Sequence, residues 1–271
     1  LNEVTIDFGG RASSDTLSVQ HSYRSNADLR LVWGGEFRQE QVVSRPLYDT
    51  LAPQETRFTR VFGNAEWRAG RDVVVNAGGL LETNSRSADL FSPRLMVNWH
   101  FAPGQTLRAG VSKAFRPPST YETSSNTRYI ANGVLISVAS LSRGGVLPES
   151  VVAREIGYLG EFPRLGASLD VRAFHEQVGG FVRLAKYLLP AGTQLIEILS
   201  GYAPTFDYVN AEDFAIKGLE YQLKWRPWAG SQFTLNQAWT SIGSMDQGDA
   251  ASAPNLASTL MGMQKLPGGA D

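Results

Sequence analysis

Along most of this chain hydrophobic and polar residues alternate one by one. The stretch 92–115, SPRLMVNWHFAPGQTLRAGVSKAF, does so twice around a turn: Leu95, Val97, Trp99 and Phe101 share one parity, Arg94, Asn98 and His100 the other. Successive side chains of a strand point to opposite faces, so this stretch predicts a hairpin with one apolar and one polar face. The same rule predicts strands at 3–8, 16–23, 29–38, 57–67, 72–82, 92–101, 105–114, 153–162, 165–176, 213–226, 231–241 and 257–265. The parity is cleanest where Leu29, Leu31, Trp33 and Phe37 oppose Arg30, Glu36 and Arg38. It is as clean where Leu219, Tyr221, Leu223 and Trp225 oppose Glu220, Gln222, Lys224 and Arg226.

The connections carry a second pattern. Segments 24–28, 68–71, 102–104, 163–164 and 227–230 are short and rich in turn formers, whereas 39–56, 83–91, 115–152, 177–212 and 242–256 are longer, with 9–15 a modest member of the long class. Short turns on one side and long loops on the other are the asymmetry of an outer-membrane barrel, and several of the strands approach the roughly 9–11 residues that a tilted strand needs to cross a bilayer. Aromatic residues gather near strand ends, at Tyr23, Trp67, Trp99, Phe101, Phe115, Phe162, Trp225, Trp228 and Trp239. Rings at those places suit the two headgroup levels of a membrane.

Composition narrows the classes. With 25 basic and 26 acidic residues and a formal net charge of −1, the chain has no general attraction to nucleic acid. Cysteine is absent, so there are neither disulfides nor thiolate metal sites. No run of 18 apolar residues exists, which excludes a membrane-spanning helix but not a barrel. A mean hydropathy of −0.18 is compatible with strands that present only every second residue to lipid. The opening LNEVTIDFGG reads as a strand joined midway rather than a signal peptide, and the end QKLPGGAD as a turn. Neither a repeat nor a linker divides the 271 residues, so 1–271 is expected to be part of one barrel domain.

Three motifs are familiar. VSKAFRPPSTYE (111–122) places Ser112, Phe115, Arg116, Pro117, Pro118, Tyr121 and Glu122 at the passage from a strand into a loop. LPESVVAREIGYLGEF (147–162) enters the next strand through Glu155 and Gly157, and YVNAEDFAIKGLEYQLKWRP (208–227) carries Asn210, Ile216, Gly218, Glu220 and Pro227. In order and spacing these segments resemble TonB-dependent outer-membrane receptors over roughly residues 105–265. The resemblance implies an all-β, antiparallel up-and-down transmembrane barrel of which about 12 strands out of a probable 22 lie in this chain, the plug domain and the barrel ends lying outside it. It implies the outer membrane of a Gram-negative bacterium, lipid around the wall, and uptake driven by the TonB energy-coupling protein through the plug. The nutrient implied is an iron-siderophore or a similar small ligand. A passive porin-like channel and a soluble β-sandwich binding module are the alternatives.

Within the first motif, Pro117 and Pro118 cannot donate ladder hydrogen bonds and are expected to end the strand at the membrane surface. Arg116 is expected at the interface, its stem on apolar surface and its charge in water. No catalytic role is expected. The chain has no GxSxG, phosphate-loop or HExxH pattern, and a carboxylate pair such as Glu155 with Asp170 reads as hydrated lumen wall. His21, His100 and His175 lie on separate strands without ligand spacing, so neither a metal nor a cofactor is expected. Ligand capture is expected in the long loops, where Tyr121, Arg128 and Tyr129, and then Phe181, Arg183, Lys186, Tyr187, Tyr202, Phe206 and Tyr208, combine aromatic rings with cations. Such groups suit an anionic ligand with aromatic chelating rings.

Overall fold

A computed structural model describes residues 9–243 and 256–264. In chain order its elements are β1 (Arg11–Arg24), β2 (Leu29–Val43), α1 (Arg45–Tyr48), β3 (Gln54–Arg68), β4 (Val73–Asn84), β5 (Ser87–Ala102), β6 (Gln105–Arg116) and α2 (Thr120–Ser124). They continue with β7 (Asn126–Ala131), β8 (Val134–Leu141), β9 (Glu149–Phe162), β10 (Ala167–Gly179), β11 (Val182–Tyr187), α3 (Leu195–Ser200), β12 (Thr205–Asn210), β13 (Phe214–Trp225), β14 (Ser231–Ile242) and β15 (Leu256–Gln264). Eleven strands form one sheet in the order β1-β2-β3-β4-β5-β6-β9-β10-β13-β14-β15, each antiparallel to its neighbours. This is the up-and-down wall of an open barrel segment. The expected strand at 3–8 and most of the connection 242–256 lie outside the described residues.

The register shows which face meets lipid. Leu29, Trp67, Val75, Val97, Ala109, Ile156, Ala173, Leu219, Trp239 and Leu256 are consecutive cross-strand partners from β2 to β15, and every one is apolar. The row begins beside the short 25–28 turn and ends beside the 243–255 connection, so it climbs from one end of the wall to the other. Nine steps of about 4.8 Å at a tilt near 40° raise it by about 25–30 Å, the height of a hydrocarbon core. Leu17, Val19, Val61, Phe91, Ile156 and Leu260 on this face are exposed, while buried apolar side chains are few and lie mainly toward the long-loop end. The wall is thus apolar outside and has no apolar interior, as lipid requires.

The opposite face is charged, and several of its charges pair with one another. Arg60 on β3 sits between its two direct partners, bonding Glu36 of β2 at 2.7 Å and Glu82 of β4 at 2.5 Å. Arg172 on β10 is held by its direct partner Glu220 of β13 at 3.0 Å and by Glu155 of β9, diagonal to it, at 3.2 Å. Arg108 reaches Asp170 at 2.8 Å by lying across Gly157, where an added Cβ would meet its Nε at 2.5 Å. Glu155 and Asp170 therefore answer to different arginines and do not form a carboxylate pair. Gly218 is likewise covered by the ring of its partner Phe174.

At the short-turn end a belt of aromatic residues forms, with Trp99 against Phe101 at 5.6 Å and both Trp225 and Trp228 against Phe233 at 6.0 Å. Tyr23, Trp67 and Phe162 lie at the same end, Phe115 and Trp239 toward the other.

Besides the extension of β2 to Val43, which shortens the connection 39–56, the connections differ from expectation in three places. Residues 9–15 do not form a loop from Arg11 onward: β1 pairs with β2 as far as Arg11 opposite Val43. Segment 83–91 is not a long loop, because β4 and β5 continue to a tight turn at Ser85 and Arg86, where Asn84 Oδ1 accepts from the backbone of Arg86 and Ser87. Both strand extensions pass beyond the lipid band, where polar residues occupy both faces and alternation vanishes from the sequence. Third, 115–152 and 177–212 are not unstructured. They hold β7, β8, β11 and β12, which join in a second sheet of order β11-β12-β8-β7.

The row analysis gives a direct test. Leu95→Arg, on the outer face near mid-height, should cost about 2–4 kcal/mol of folding stability in lipid vesicles. Asn76→Arg, on the inner face opposite Glu66, should cost less than about 1 kcal/mol. Denaturant titration read by heat-modifiable gel migration measures both, and equal costs would contradict an outer lipid face. A single cysteine introduced at Gly104, in a short turn, should resist an impermeant thiol reagent on whole cells, while one at Ala191, in a long loop, should react.

Candidate functional site

The rim above the inner face is built where the first motif leaves the wall. Pro117 and Pro118 end β6 as expected, and Ser119 caps the short helix α2: its hydroxyl accepts from Glu122 N, and the Glu122 carboxylate accepts from Ser119 N at 2.6 Å. Arg116 does not point outward along an apolar surface. It has inner-face parity and clamps two carboxylates, Glu122 at 3.0 Å through both terminal nitrogens and Glu149 of β9 at 2.5 Å. Glu149 also accepts from Val182 N at 2.5 Å, so one guanidinium ties the bases of both long loops together. Burial opposes ionisation of Glu122, but the bonds from Arg116 and from Ser119 outweigh it and hold the carboxyl below its ordinary range.

Three tyrosines converge on this rim. Tyr121 of α2 makes edge contacts with Tyr48 of α1 at 6.2 Å and with Tyr208 of β12 at 6.0 Å, and its hydroxyl bonds Thr127 at 3.0 Å. Arg86 lies beneath, from the β4–β5 turn. Its guanidinium donates to Glu55 O at 3.1 Å, Thr56 Oγ1 at 2.8 Å and Ser124 Oγ at 2.9 Å, all neutral groups. Thr56 has inner-face parity and meets Thr120 of α2 at 3.2 Å, which places the group on the lumen side of the wall. Burial raises the phenol of Tyr48, with Arg86 acting against it. It also raises Tyr208, reinforced by Tyr121 and Glu122. Both phenols stay protonated at neutral pH, so they offer ring edges and O–H donors.

The other expected residues are dispersed. Arg128 pairs with Asp49 at 3.2 Å beside α1, and Tyr129 follows it on β7, half-buried. Phe181 packs edge-on against Phe214 at 5.6 Å, Arg183 is half-buried on β11, and Tyr202 is exposed at the tip of 188–204. Tyr187 donates to Leu141 O at 3.0 Å with Arg143 over its ring at 4.1 Å, and Lys186 lies over Phe206 at 5.7 Å. Only Tyr121 and Tyr208 of the expected aromatic set come together. Of the motif residues, Ser112 faces inward opposite Arg94 and Phe115 faces outward under Lys113. Glu155, Gly157, Gly218 and Glu220 surround Arg172 in the wall.

Tyr48 and Arg86 belong to the site and were not expected from sequence. Nothing in YDTLAP or TNSRSAD marks either residue, because the tie to Tyr121 is made across three strands. The joint sheet, by contrast, had a signal: Asn132-Gly133 between RYIA and VLIS, the dipeptide of a two-residue hairpin turn. Asn132 and Gly133 adopt φ of 50° and 76°, and Ala131 pairs with Val134. Buried polar groups lock the two loops: Gln194 accepts from Val138 N at 2.7 Å and donates to Ala203 O at 3.1 Å, while Asp207 binds Arg143 at 2.9 Å.

Comparison with known proteins agrees with this geometry. No curated protein sequence matches the chain. Among solved structures it is similar to the siderophore receptor PirA from Pseudomonas aeruginosa, with 16% identity, a TM-score of 0.72, and coverage of 86% of this chain and 43% of that one. It is also similar to a variant of the ferric enterobactin receptor PfeA from Pseudomonas aeruginosa (15%, 0.66, 84% and 36%) and to the copper transporter OprC (15%, 0.63, 86% and 38%). The chain thus spans less than half the length of these structures. Residues 2–266 match the family model described as TonB dependent receptor-like, beta-barrel. An outward apolar row, a charged inner face and a rim clamped by its long loops, together with that match over nearly the whole chain, place this protein in the TonB-dependent receptor β-barrel family of the Gram-negative outer membrane.

Proposed function

We propose that this chain forms the wall and part of the mouth of a receptor that captures an iron-siderophore, and that TonB powers uptake by acting on a plug domain lying outside residues 1–271. These residues belong to one barrel domain and carry out no bond chemistry. The observation behind the ligand class is the chain of three tyrosines beside Arg86, a cation whose guanidinium hydrogen-bonds only neutral groups among the described residues. An anionic complex with aromatic chelating rings gains there from ring contacts and from charge. Each cation–π contact contributes about 0.5–2 kcal/mol when desolvated. Siderophore receptors among the similar structures support the class, and the copper transporter among them marks the competing cargo.

Quenching of intrinsic fluorescence by a ferric tris-catecholate complex tests the site in the protein purified from outer membranes. Saturable quenching is expected, weakened about tenfold or more, equivalent to about 1.4 kcal/mol, by Tyr121→Ala and by Arg86→Gln. The lumen-wall change Gln222→Ala should leave it unaltered. Saturable binding of Cu(II) without any of the ferric complex would overturn the siderophore assignment, and absence of saturable binding would favour a passive channel.

The clamp predicts a pH dependence. Glu122 titrates below its ordinary value of 4.5 in the folded state, so its contribution is complete above that value and is lost as pH falls through the lowered one. The long loops should therefore resist an acid-active protease above pH 4.5 and become susceptible only as pH falls through the lowered value, whereas Glu122→Gln should leave them susceptible throughout.

A further inference from the structure

The outer face carries a feature that neither the apolar band nor ligand capture requires. On β9, β10 and β13, Arg154, His175 and Lys217 are direct cross-strand partners in one row of outward parity. Lys113 lies diagonally beside Arg154 on β6, its own partner being Val152. Arg154, His175 and Lys217 are exposed, and none has an ion-pair partner among the described residues. No outward position of β6, β9, β10 or β13 is Asp or Glu. Arg154 has Lys113 on one adjoining strand and Lys217 beyond His175 on the other side; like charges on adjoining strands of one face are destabilising, so this cluster without a carboxylate favours an anion from elsewhere.

Their height says where it comes from. Two residues nearer the short turns on the same face stand Val111, Ile156, Ala173 and Leu219, all apolar. The basic row is therefore the first polar layer above the hydrocarbon on the long-loop side. There the groups next to the wall are lipid headgroups, and the anionic group that lipids present at that level is phosphate.

We propose that Lys113, Arg154, His175 and Lys217 form a binding surface for the phosphate-bearing headgroup of a lipid in the outer leaflet. The assignment of leaflet rests on the proposed orientation of the long loops to the cell exterior; the lipid contact itself does not. The guanidinium of Arg154 offers a planar fork for phosphate oxygens, Lys113 and Lys217 supply point charges on either side, and the acyl chains lie over Ile156, Ala173 and Leu219.

The test is retention of lipid by the protein purified in neutral detergent, read by native mass spectrometry after addition of diphosphorylated lipid A or its dephosphorylated form. The native protein should retain the phosphorylated form at least tenfold better. Arg154→Gln combined with Lys217→Gln should abolish that preference, while Lys224→Gln on the inner face should preserve it. If the double variant fails to migrate as a folded barrel, Lys217→Gln alone should lower the preference severalfold. Equal retention of the two lipids by the native protein, or an undiminished preference in folded variants, would overturn the proposal. So would displacement of the lipid by millimolar inorganic phosphate, which would indicate a general anion site. None of these outcomes affects binding of the ferric complex at the rim, so failure here and failure there are separable.

Discussion

Inside hydrocarbon no water is available to an unpaired peptide group, and each such group costs several kcal/mol. That constraint governs the whole wall. It demands an unbroken ladder across all eleven wall strands, and antiparallel pairing of successive wall strands meets the demand. Once the backbone is committed in this way, the side chains have only two destinations. One parity meets lipid and is apolar, and the other meets the lumen and is polar. The tilt follows from the same ladder, because a row of partners that starts beside one set of turns ends beside the other.

Several charges on the inner face are neutralised within the wall itself. Arg60 and Arg172 each sit between carboxylates contributed by both neighbouring strands, so a single guanidinium staples three strands. Arg108 extends the pattern at the expense of a side chain, since its path to Asp170 crosses the space a Cβ at Gly157 would fill. The mouth repeats the device with signs redistributed: Arg116 gathers Glu122 and Glu149, and through them α2 and β11. Arg86 breaks the pattern, being met by hydroxyls and a carbonyl, and it does so beside the only place where three tyrosines meet among the described residues.

The wall was legible in the sequence because lipid enforces a strict period of two, and a residue such as Val97 or Asn98 declares its face by its chemistry. Legibility ended where lipid ended. In RASSD, QVVS and TNSRSAD both parities meet water, so strands that continue past the membrane leave no alternation to read. The joint sheet of the long loops was half visible in Asn132-Gly133, but its partner β12 is joined to β8 at Phe206 and Ser140, a parallel contact that no local pattern announces. The motif residues were recognisable without their purpose. Arg116, Glu155, Gly157 and Glu220 acquire one only when cross-strand neighbours are known. Of the rim site, Tyr121 and Tyr208 were visible as loop aromatics, whereas Tyr48 and Arg86 are brought in by packing alone.

The sheet shared by the two long loops has a consequence for how this mouth can be altered. Gln194 from one loop closes a backbone donor in the other, and Asp207 from one is neutralised by Arg143 from the other. A loop exchanged by itself would strand a buried carboxylate or a buried amide, so 117–148 replaced without 180–213 would lose the interlock. The two loops form one interlocked unit, and a substitution at an exposed rim position leaves the interlock beneath unchanged.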